Sequence, residues 1–250
     1  MKAVIQIPAY EEGRTVYETA TEITNQRVPE GWDVDYEAWV TLSPPDRELC
    51  DTWQNAMAAE DVEVFEAPQG KLSARNAAHN HAVGEGYDVF FSWDADAPPV
   101  GEGVLASMLT AFDQEPMPAC VNTRPVSSPG NGLFGMALDV LTTAEDIVFP
   151  HIHGQCHGLS AAAWNALGPF DESIDQTDLP TVRAEEEIGF WSRLLSVGPI
   201  VEPPEATVYN DPRRATCKVP LIPNADHCSG RVGTFELAEN RDRGGDGGCG

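Results

Sequence analysis

The sequence predicts an α/β fold with a Rossmann-like, mostly parallel central sheet flanked by helices. Short apolar runs alternate with amphipathic stretches through the first half of the chain, as in repeated strand-helix units. The fourth apolar run ends on Asp94 and Asp96, at the sheet edge where open α/β folds bind their ligands. The 250 residues are enough for one main domain with a modest extension.

The elements follow from these patterns in chain order. Residues 3–7 form an apolar run that Pro8 ends, and a helix is predicted where Val16, Ala20 and Ile23 recur at helical spacing. Further strands are predicted at 36–42, 62–65, 88–93 and 119–123, and helices at 15–26, 47–59, 73–83 and 104–112. Beyond residue 127 the pattern loosens, and the later helices are predicted at 160–167 and 183–195. The last dozen residues are rich in glycine and are predicted to be disordered.

The charge balance is strongly acidic. Forty acidic and fifteen basic residues give a net charge of -25, and lysine occurs only at positions 2, 71 and 218. Such a field repels polyanions, so we expect neither nucleic acid nor anionic lipid as a partner. A hydrophobic content of 42% excludes a disordered acidic chain, so the composition suggests a folded protein from a halophilic source.

The six cysteines are scattered without a Cys-x-x-Cys pair, which argues against a zinc ribbon or a thioredoxin motif. Cys50, Cys120 and Cys156 have apolar or helical neighbours and are predicted to be free thiols. The sequence shows no charged-then-apolar leader and no apolar stretch of about 18 residues. We therefore expect a cytoplasmic protein without an integral membrane span.

Five segments occur in an order and at intervals that resemble the family 2 glycosyltransferases of the GT-A fold. They are 7–13 (Ile-Pro-Ala-Tyr-Glu-Glu-Gly), 70–77 (Gly-Lys-Leu-Ser-Ala-Arg-Asn-Ala), 94–96 (Asp-Ala-Asp), 167–172 (Leu-Gly-Pro-Phe-Asp-Glu) and 186–194 (Glu-Glu-Ile-Gly-Phe-Trp-Ser-Arg-Leu). The resemblance covers residues 3 to 210. It implies a GT-A domain over 1–212, with a nucleotide-sugar-binding half at 1–125 and an acceptor-side half at 126–212, followed by an irregular tail at 213–250.

The resemblance makes Asp94-Ala95-Asp96 the metal motif. Asp96 is the first choice for a ligand of Mn²⁺ or Mg²⁺, because carboxylate oxygens suit hard cations. Asp94 is either a second ligand or a hydrogen-bond acceptor for the ribose. Lys71 and Arg75 lie in the Ala-Arg-Asn segment and suit a phosphate or a base edge, although surface ion pairs are the alternative.

The first-strand motif implies that the nucleotide base lies against Pro8, Ala9 and Tyr10, with Glu12 just beyond. Tyr10 is equally well explained as a core aromatic residue with a satisfied hydroxyl group. The family normally has Asn where this chain has Glu11. That departure leaves one nucleotide contact open.

Two further motifs depart from the family pattern. The second strand is followed by Ser43-Pro44-Pro45-Asp46 instead of the usual aspartates, so either Asp46 substitutes or the base is recognised differently. Many members have a histidine after a late strand, in a setting like 207–209 here. This chain continues with Asn210-Asp211, so that ligand is either lost or replaced by one of these oxygens. The donor nucleotide therefore stays open.

An inverting transfer requires a general base beside the acceptor hydroxyl. Counting back from Arg193, the family's Glu-Asp pair falls on Glu186 and Glu187, which puts Glu187 at the base position. The alternative is an acidic first helical turn stabilised by the helix dipole.

The segment 151–157 (His-Ile-His-Gly-Gln-Cys-His) contains soft metal ligands, and zinc binding is a minority interpretation because the ligand spacing is not that of a structural site. We expect this segment to line the acceptor side instead.

The sequence thus predicts a metal-dependent, inverting glycosyltransferase that moves one sugar from a nucleotide-diphospho-sugar to the hydroxyl group of a glycan, a lipid-linked sugar or a small molecule. A Gln-x-x-Arg-Trp segment typical of processive synthases does not occur. The alternatives are a nucleotidyltransferase and a catalytically degenerate binding protein of the same fold.

Overall fold

The structure is a computed structural model that describes residues 1–10, 12–42, 50–127, 153–174 and 188–210. The strands are β1 (Lys2–Ala9), β2 (Asp33–Thr41), β3 (Glu63–Ala67), β4 (Val89–Trp93), β5 (Cys120–Asn122), β6 (Arg124–Ser127), β7 (Cys156–Ser160), β8 (Ile200–Val201) and β9 (Thr207–Asn210). The helices are α1 (Arg14–Thr24), α2 (Asp51–Ala58), α3 (Lys71–Gly84), α4 (Val104–Ala111), α5 (Ala161–Leu167) and α6 (Phe190–Leu194), with a 3₁₀ turn at Glu172–Ile174.

Seven of these strands form one sheet in the order β3-β2-β1-β4-β7-β5-β8. The strands β1 to β4 are parallel, whereas β7 runs antiparallel to both of its neighbours, β4 and β5. A second, two-stranded parallel sheet pairs β6 with β9. The predicted mostly parallel sheet is confirmed, with one reversed strand in its second half.

Both faces of the sheet are covered by apolar packing. One face carries Ile5, Phe91 and Trp93, against which the buried sides of α1 and α4 pack. The opposite face carries Val4 and Phe90, which form a second apolar cluster together with residues of α3. The core is therefore split by the sheet into two layers, as expected for a sheet with helices on both sides.

The predicted elements of the first half are confirmed within one to three residues at most ends. One correction concerns Pro8: β1 continues through it to Ala9. The strand β1 pairs with β4 only as far as Gln6. The N–H group that Pro8 lacks is therefore not needed for the hydrogen bonds between β1 and β4. The predicted strand at 119–123 is confirmed as β5.

The second half contains strands that the sequence patterns do not indicate, namely β6, β7 and β8. The strand β9 lies where the resemblance implies a late strand, at 207–209. The strand β7 has the sequence Cys-His-Gly-Leu-Ser, which lacks the β-branched and aromatic residues typical of strands. The predicted helix at 160–167 is confirmed by α5, and α6 lies inside the one predicted at 183–195, of which only 188–195 is described. The predicted tail at 213–250 lies outside the described residues.

The three cysteines predicted to be thiols are free: Cys50, Cys120 and Cys156. Within the described ranges, no helix combines the length and the apolar character that crossing a membrane requires.

Gly158 allows β7 to occupy the centre of the sheet. A Cβ atom on this residue would lie 2.5 Å from Cε1 and 2.7 Å from Cδ1 of Phe91, and 3.0 Å from Cε2 of Phe112. Real Cβ atoms do not approach ring atoms so closely, so any larger residue forces the aromatic packing apart. A glycine is required here by close approach.

We expect Gly158→Ala to lower the free energy of unfolding by about 3 kcal/mol, because the added methyl group overpacks the layer around Phe91. The matched control is Gly84→Ala in α3, where a Cβ atom meets nothing within 4 Å. This control should leave the free energy of unfolding unchanged or raise it by up to about 1 kcal/mol. Urea unfolding measures both; equal stabilities of the two variants would contradict the packing argument.

The net charge of -25 should make stability depend on salt. Glu60, Asp61, Glu63 and Glu66 are all exposed between α2 and the end of β3, so like charges crowd one surface. We expect the melting temperature to rise between 0.1 and 2 M NaCl, and to rise less in a variant that carries Gln or Asn at these four positions. Circular dichroism on heating measures this, and a melting temperature independent of salt would argue against the expectation.

Candidate active site

The turn that carries Asp94 and Asp96 is held rigidly at the carboxyl end of β4. The backbone N–H of Asp94 donates to the carbonyl oxygen of Gln155 at 2.8 Å, and that of Ala97 donates to the carbonyl oxygen of Asp94 at 3.0 Å. Trp93 Nε1 closes the turn by donating to the Ala97 carbonyl oxygen at 2.6 Å. Both residues thus lie where the sequence predicts them, directly after the carboxyl end of β4.

The chain beyond this turn is fastened to β9. The N–H of Val100 donates to the carbonyl oxygen of Thr207 at 2.9 Å. The N–H of Tyr209 donates to the carbonyl oxygen of Pro98 at 2.8 Å. The strand β9 therefore ends beside the turn, at Asn210, one of the two residues proposed to replace the late-strand histidine. Asp211 lies outside the described residues.

Arg75 forms a buried ion pair with Asp94. Its Nη2 lies 2.7 Å from Asp94 Oδ1 and also donates to the carbonyl oxygen of Gly154 at 2.8 Å. The side chains of Arg75 and Asp94 are only 1% and 5% exposed. The alternative of a surface ion pair is therefore wrong for Arg75, whose guanidinium group binds Asp94 in the interior.

The two carboxylates of the motif differ in burial. Asp94 is buried against Arg75, whereas Asp96 is half-buried. Because Asp96 keeps the greater access to solvent, it is the carboxylate better placed to meet a ligand from outside.

Asn76, the neighbour of Arg75 in α3, joins a second motif to the same helix. Its Nδ2 donates to the Phe170 carbonyl oxygen at 3.0 Å and to Glu172 Oε1 at 2.7 Å, and its Oδ1 accepts from the Phe170 N–H at 2.9 Å. Within the Ala-Arg-Asn segment, Arg75 thus binds Asp94 and Asn76 binds the Pro-Phe-Asp-Glu segment.

Tyr10 follows β1 at the same edge of the sheet and is 45% exposed. The core interpretation of this residue is therefore wrong, and its ring is open to a ligand. Ala9 is buried and Pro8 is half-buried below it. The half-buried Glu12 accepts a hydrogen bond from the Tyr10 N–H, which shapes the turn toward Gly13, where φ is +53°.

Lys71 is the first residue of α3, directly after Gly70, whose φ of +104° is one that glycine readily adopts. The Lys71 side chain is half-buried at this edge of the sheet. Further candidate residues lie outside the described part of the chain, namely Glu11, Asp46, Glu186 and Glu187.

The described part of segment 151–157 is buried in the sheet instead of lining an open surface. His153, Cys156 and His157 are each at most 3% exposed. Cys156 lies on the α4 side near Met108, whereas its neighbour His157 points to the other face, since successive strand residues alternate. These two side chains therefore cannot share one metal ion, and His151 lies outside the described residues.

Two buried histidines, His79 in α3 and His157 in β7, lie close enough to Arg75 to feel its charge. The sequence does not single out His79, and it indicates His157 only as part of the segment 151–157. Burial, the neighbouring His157 and the positive charge of Arg75 hold the pKa of His79 well below its ordinary value. Burial and Arg75 lower the pKa of His157 to about 3. Both imidazoles are neutral at physiological pH, so Arg75 is the cation that faces Asp94. Histidine inside a strand or helix carries no sequence signal for such a position.

No protein-family model and no curated protein sequence matches the chain significantly. A mannosyltransferase from Pyrobaculum calidifontis, solved with GDP-Man and Mn²⁺, is 19% identical and superimposes with a TM-score of 0.59 over 83% of this chain and 56% of its own. The chain has a GT-A fold.

Two other solved structures share the GT-A fold with this chain. S. aureus TarS is 13% identical, with a TM-score of 0.60 over 91% of this chain and 41% of its own. GalNAc-T7, solved with UDP, GalNAc and Mn²⁺, is 12% identical, with a TM-score of 0.59 over 84% of this chain and 44% of its own. The chain therefore spans about half the length of these structural neighbours.

The two neutral histidines should make the protein sensitive to mild acid. An unfolded histidine has a pKa near 6.5, so below that pH the unfolded state binds protons that the folded state does not, and stability falls as the pH falls. Lowering the pH from 7 to 5.5 should cost about 1 kcal/mol of unfolding free energy for each of the two residues. This window lies above the titration of carboxylates.

Urea unfolding at both pH values measures the loss. The control is His157→Gln, which lacks one titrating group and should show a smaller loss than the parent protein. Identical stabilities at pH 7 and 5.5 would show that the two imidazoles are not held neutral.

Proposed function

We propose that the chain is a metal-dependent glycosyltransferase that moves one sugar from a nucleotide-diphospho-sugar to an acceptor hydroxyl group with inversion. The observation that carries this proposal is the pair Asp94 and Asp96 at the carboxyl end of β4 of a GT-A fold, with Asp94 fixed by the buried Arg75. The five motifs point to the family 2 enzymes. A single transfer fits the lack of a processive-synthase signature in the sequence.

The carboxylates suit a divalent metal ion. Two aspartate side chains on one rigid turn offer hard oxygen ligands, which Mn²⁺ and Mg²⁺ prefer. Asp96, the more accessible of the two, is proposed as a direct ligand. Asp94 is proposed as the second carboxylate, oriented by Arg75 toward the metal or the ribose. When bound, the ion neutralises negative charge that builds up on the leaving diphosphate.

The donor is proposed to lie across the ends of β1 and β4. The exposed ring of Tyr10 offers a face for the nucleotide base, with Pro8 and Ala9 beneath it and Glu12 holding the turn. Lys71, at the start of α3, is the cation proposed to contact the diphosphate. Solved neighbours contain GDP-Man in one case and UDP in another, so the choice between guanosine and uridine donors rests on experiment.

The residue proposed as general base is Glu187, with Glu186 as its neighbour. The base takes the proton of the acceptor hydroxyl group while the acceptor oxygen attacks the anomeric carbon. The bond between that carbon and the phosphate oxygen breaks on the opposite side, and its electron pair leaves with the diphosphate. The acceptor is a glycan, a lipid-linked sugar or a small molecule.

Two substitutions separate donor binding from transfer. Asp96→Asn should lower Mn²⁺-dependent binding of the nucleotide-sugar by at least about tenfold, because a hard anionic ligand is lost. Glu187→Gln should leave donor binding intact and reduce transfer by about 10² or more, because an amide cannot accept the proton. Calorimetry with a panel of nucleotide-sugars measures binding, and product analysis measures transfer.

The control is Glu85→Gln at the far end of α3, where an exposed carboxylate should affect neither quantity. Normal transfer by both the Asp96 and Glu187 variants would overturn the site assignment. Binding of nucleotide-sugars without turnover by the unmodified protein would instead indicate a binding protein.

A further inference from the structure

A row of buried polar side chains crosses the sheet beneath α3. Hydrogen-bonded register places one residue from each of five adjacent strands side by side on this face, and all are at most 4% exposed. The row consists of Glu37, Gln6, Ser92, His157 and Asn122, on β2, β1, β4, β7 and β5. Buried polar groups are costly unless they are hydrogen-bonded, so such a row requires a complete set of partners.

The helix α3 adds His79 to this row, and hydrogen bonds fix its tautomer. Gln6 uses its amide nitrogen to donate to Glu37 at 3.0 Å and to the Ala78 carbonyl oxygen at 2.6 Å. Its amide oxygen therefore faces His79 Nδ1, at 2.9 Å. An oxygen can only accept, so Nδ1 of His79 carries the proton and Nε2 carries a lone pair.

A hydrogen bond also fixes the tautomer of His157. Its Nδ1 lies 3.4 Å from the carbonyl oxygen of His153, which can only accept, so Nδ1 is again the protonated nitrogen. Burial and Arg75 exclude a second proton on this ring at neutral pH, because they lower its pKa. Both rings therefore present a bare Nε2 acceptor.

These two acceptors and the Ser92 hydroxyl group lack a hydrogen-bond partner among the residues that the structure describes. Ser92 has one proton to donate, which serves only one of the two nitrogens. A water molecule donates twice and accepts from a hydroxyl group, so one water can satisfy these three atoms. A metal ion is disfavoured, because Arg75 already places a positive charge close enough to depress both imidazole pKa values.

We propose that a buried water molecule bridges His79 Nε2 and His157 Nε2 beneath α3, and that the two histidines act through it as positioning residues for the Arg75–Asp94 pair. His79 follows Arg75 by one helical turn, and Ser92 precedes Asp94 by two residues on the same face of β4. His79 and Ser92 therefore lie next to the residues of the ion pair, one helical turn along α3 and two residues along β4.

The bridge joins the same two parts of the chain that hold Asp94. On one side is α3, which supplies Arg75 and His79. On the other is the segment that leads into β7, in which Gly154 accepts from Arg75, Gln155 accepts from Asp94 and His157 closes the bridge. Loss of the bridge lets α3 and β7 separate, which moves Arg75 relative to Asp94. The effect on the metal rests on the proposed function.

The water itself is tested without any activity. A crystal structure of the full chain should show a water molecule within hydrogen-bond distance of both Nε2 atoms, and nitrogen-detected NMR should show Nε2 without a proton on both rings. A metal ion at this position, a donor from another part of the chain, or a proton on either Nε2 would overturn the proposal.

The positioning role is tested with two variants of His157. His157→Leu removes the acceptor at similar volume, whereas His157→Gln places an amide oxygen near the position of Nε2. We expect the Leu variant to bind Mn²⁺ about tenfold more weakly in the presence of UDP or GDP, and the Gln variant to bind it within about twofold of the parent protein. Binding of the nucleotide without metal should change in neither variant.

The outcomes separate the two proposals. If the parent protein binds Mn²⁺ with neither nucleotide, the proposed function fails, and the crystal and NMR measurements alone decide whether the bridge exists. If the parent protein binds Mn²⁺ together with UDP or GDP, and the Leu and Gln variants weaken Mn²⁺ binding equally, the positioning role is overturned. A Leu variant that fails to fold leaves the Gln variant as the test, and a tenfold loss in that variant with the water still in place also overturns the role.

Discussion

The candidate site depends on the ion pair between Arg75 and Asp94, which is almost fully buried. Burying two charges costs several kcal/mol in desolvation for each, so the pair contributes little net stability and is strongly unfavourable to break from one side only. The main effect of the ion pair is to fix the geometry of the site. One guanidinium group holds Asp94 and the Gly154 carbonyl oxygen together, which fixes α3, the end of β4 and the chain before β7 in one arrangement.

The contacts of α3 explain why motifs distant in the sequence occur together. Arg75 reaches the Asp-Ala-Asp turn 19 residues later, and Asn76 reaches Phe170 and Glu172, 94 and 96 residues later. Both side chains are buried, so each must find its partners within the fold or leave polar atoms unsatisfied. A change in one motif therefore carries a cost in another, which makes the set of motifs more informative than any single one.

The sequence predicts the first half of the fold well because its strands are local apolar runs. It predicts the place of Asp94 and Asp96 because a strand end is visible in the sequence. It does not predict β7, whose Cys-His-Gly-Leu-Ser is a strand only because β4 and β5 pair with it on both sides. It also left Tyr10 and Arg75 undecided, since burial depends on tertiary contacts: the tyrosine is exposed and the arginine is buried.

The charges at the site determine which ligands it can bind. In a chain of net charge -25, Arg75 and Lys71 are two of only fifteen Lys and Arg residues, and both belong to α3. Asp94 neutralises Arg75, so this arginine adds no surplus charge with which to attract a diphosphate against the general field. In the proposed function a divalent ion supplies that surplus, and its two positive charges match the two negative charges of a diphosphate diester. The proposed dependence of donor binding on the metal therefore follows from the ion pair, because the charge of Arg75 is already neutralised by Asp94.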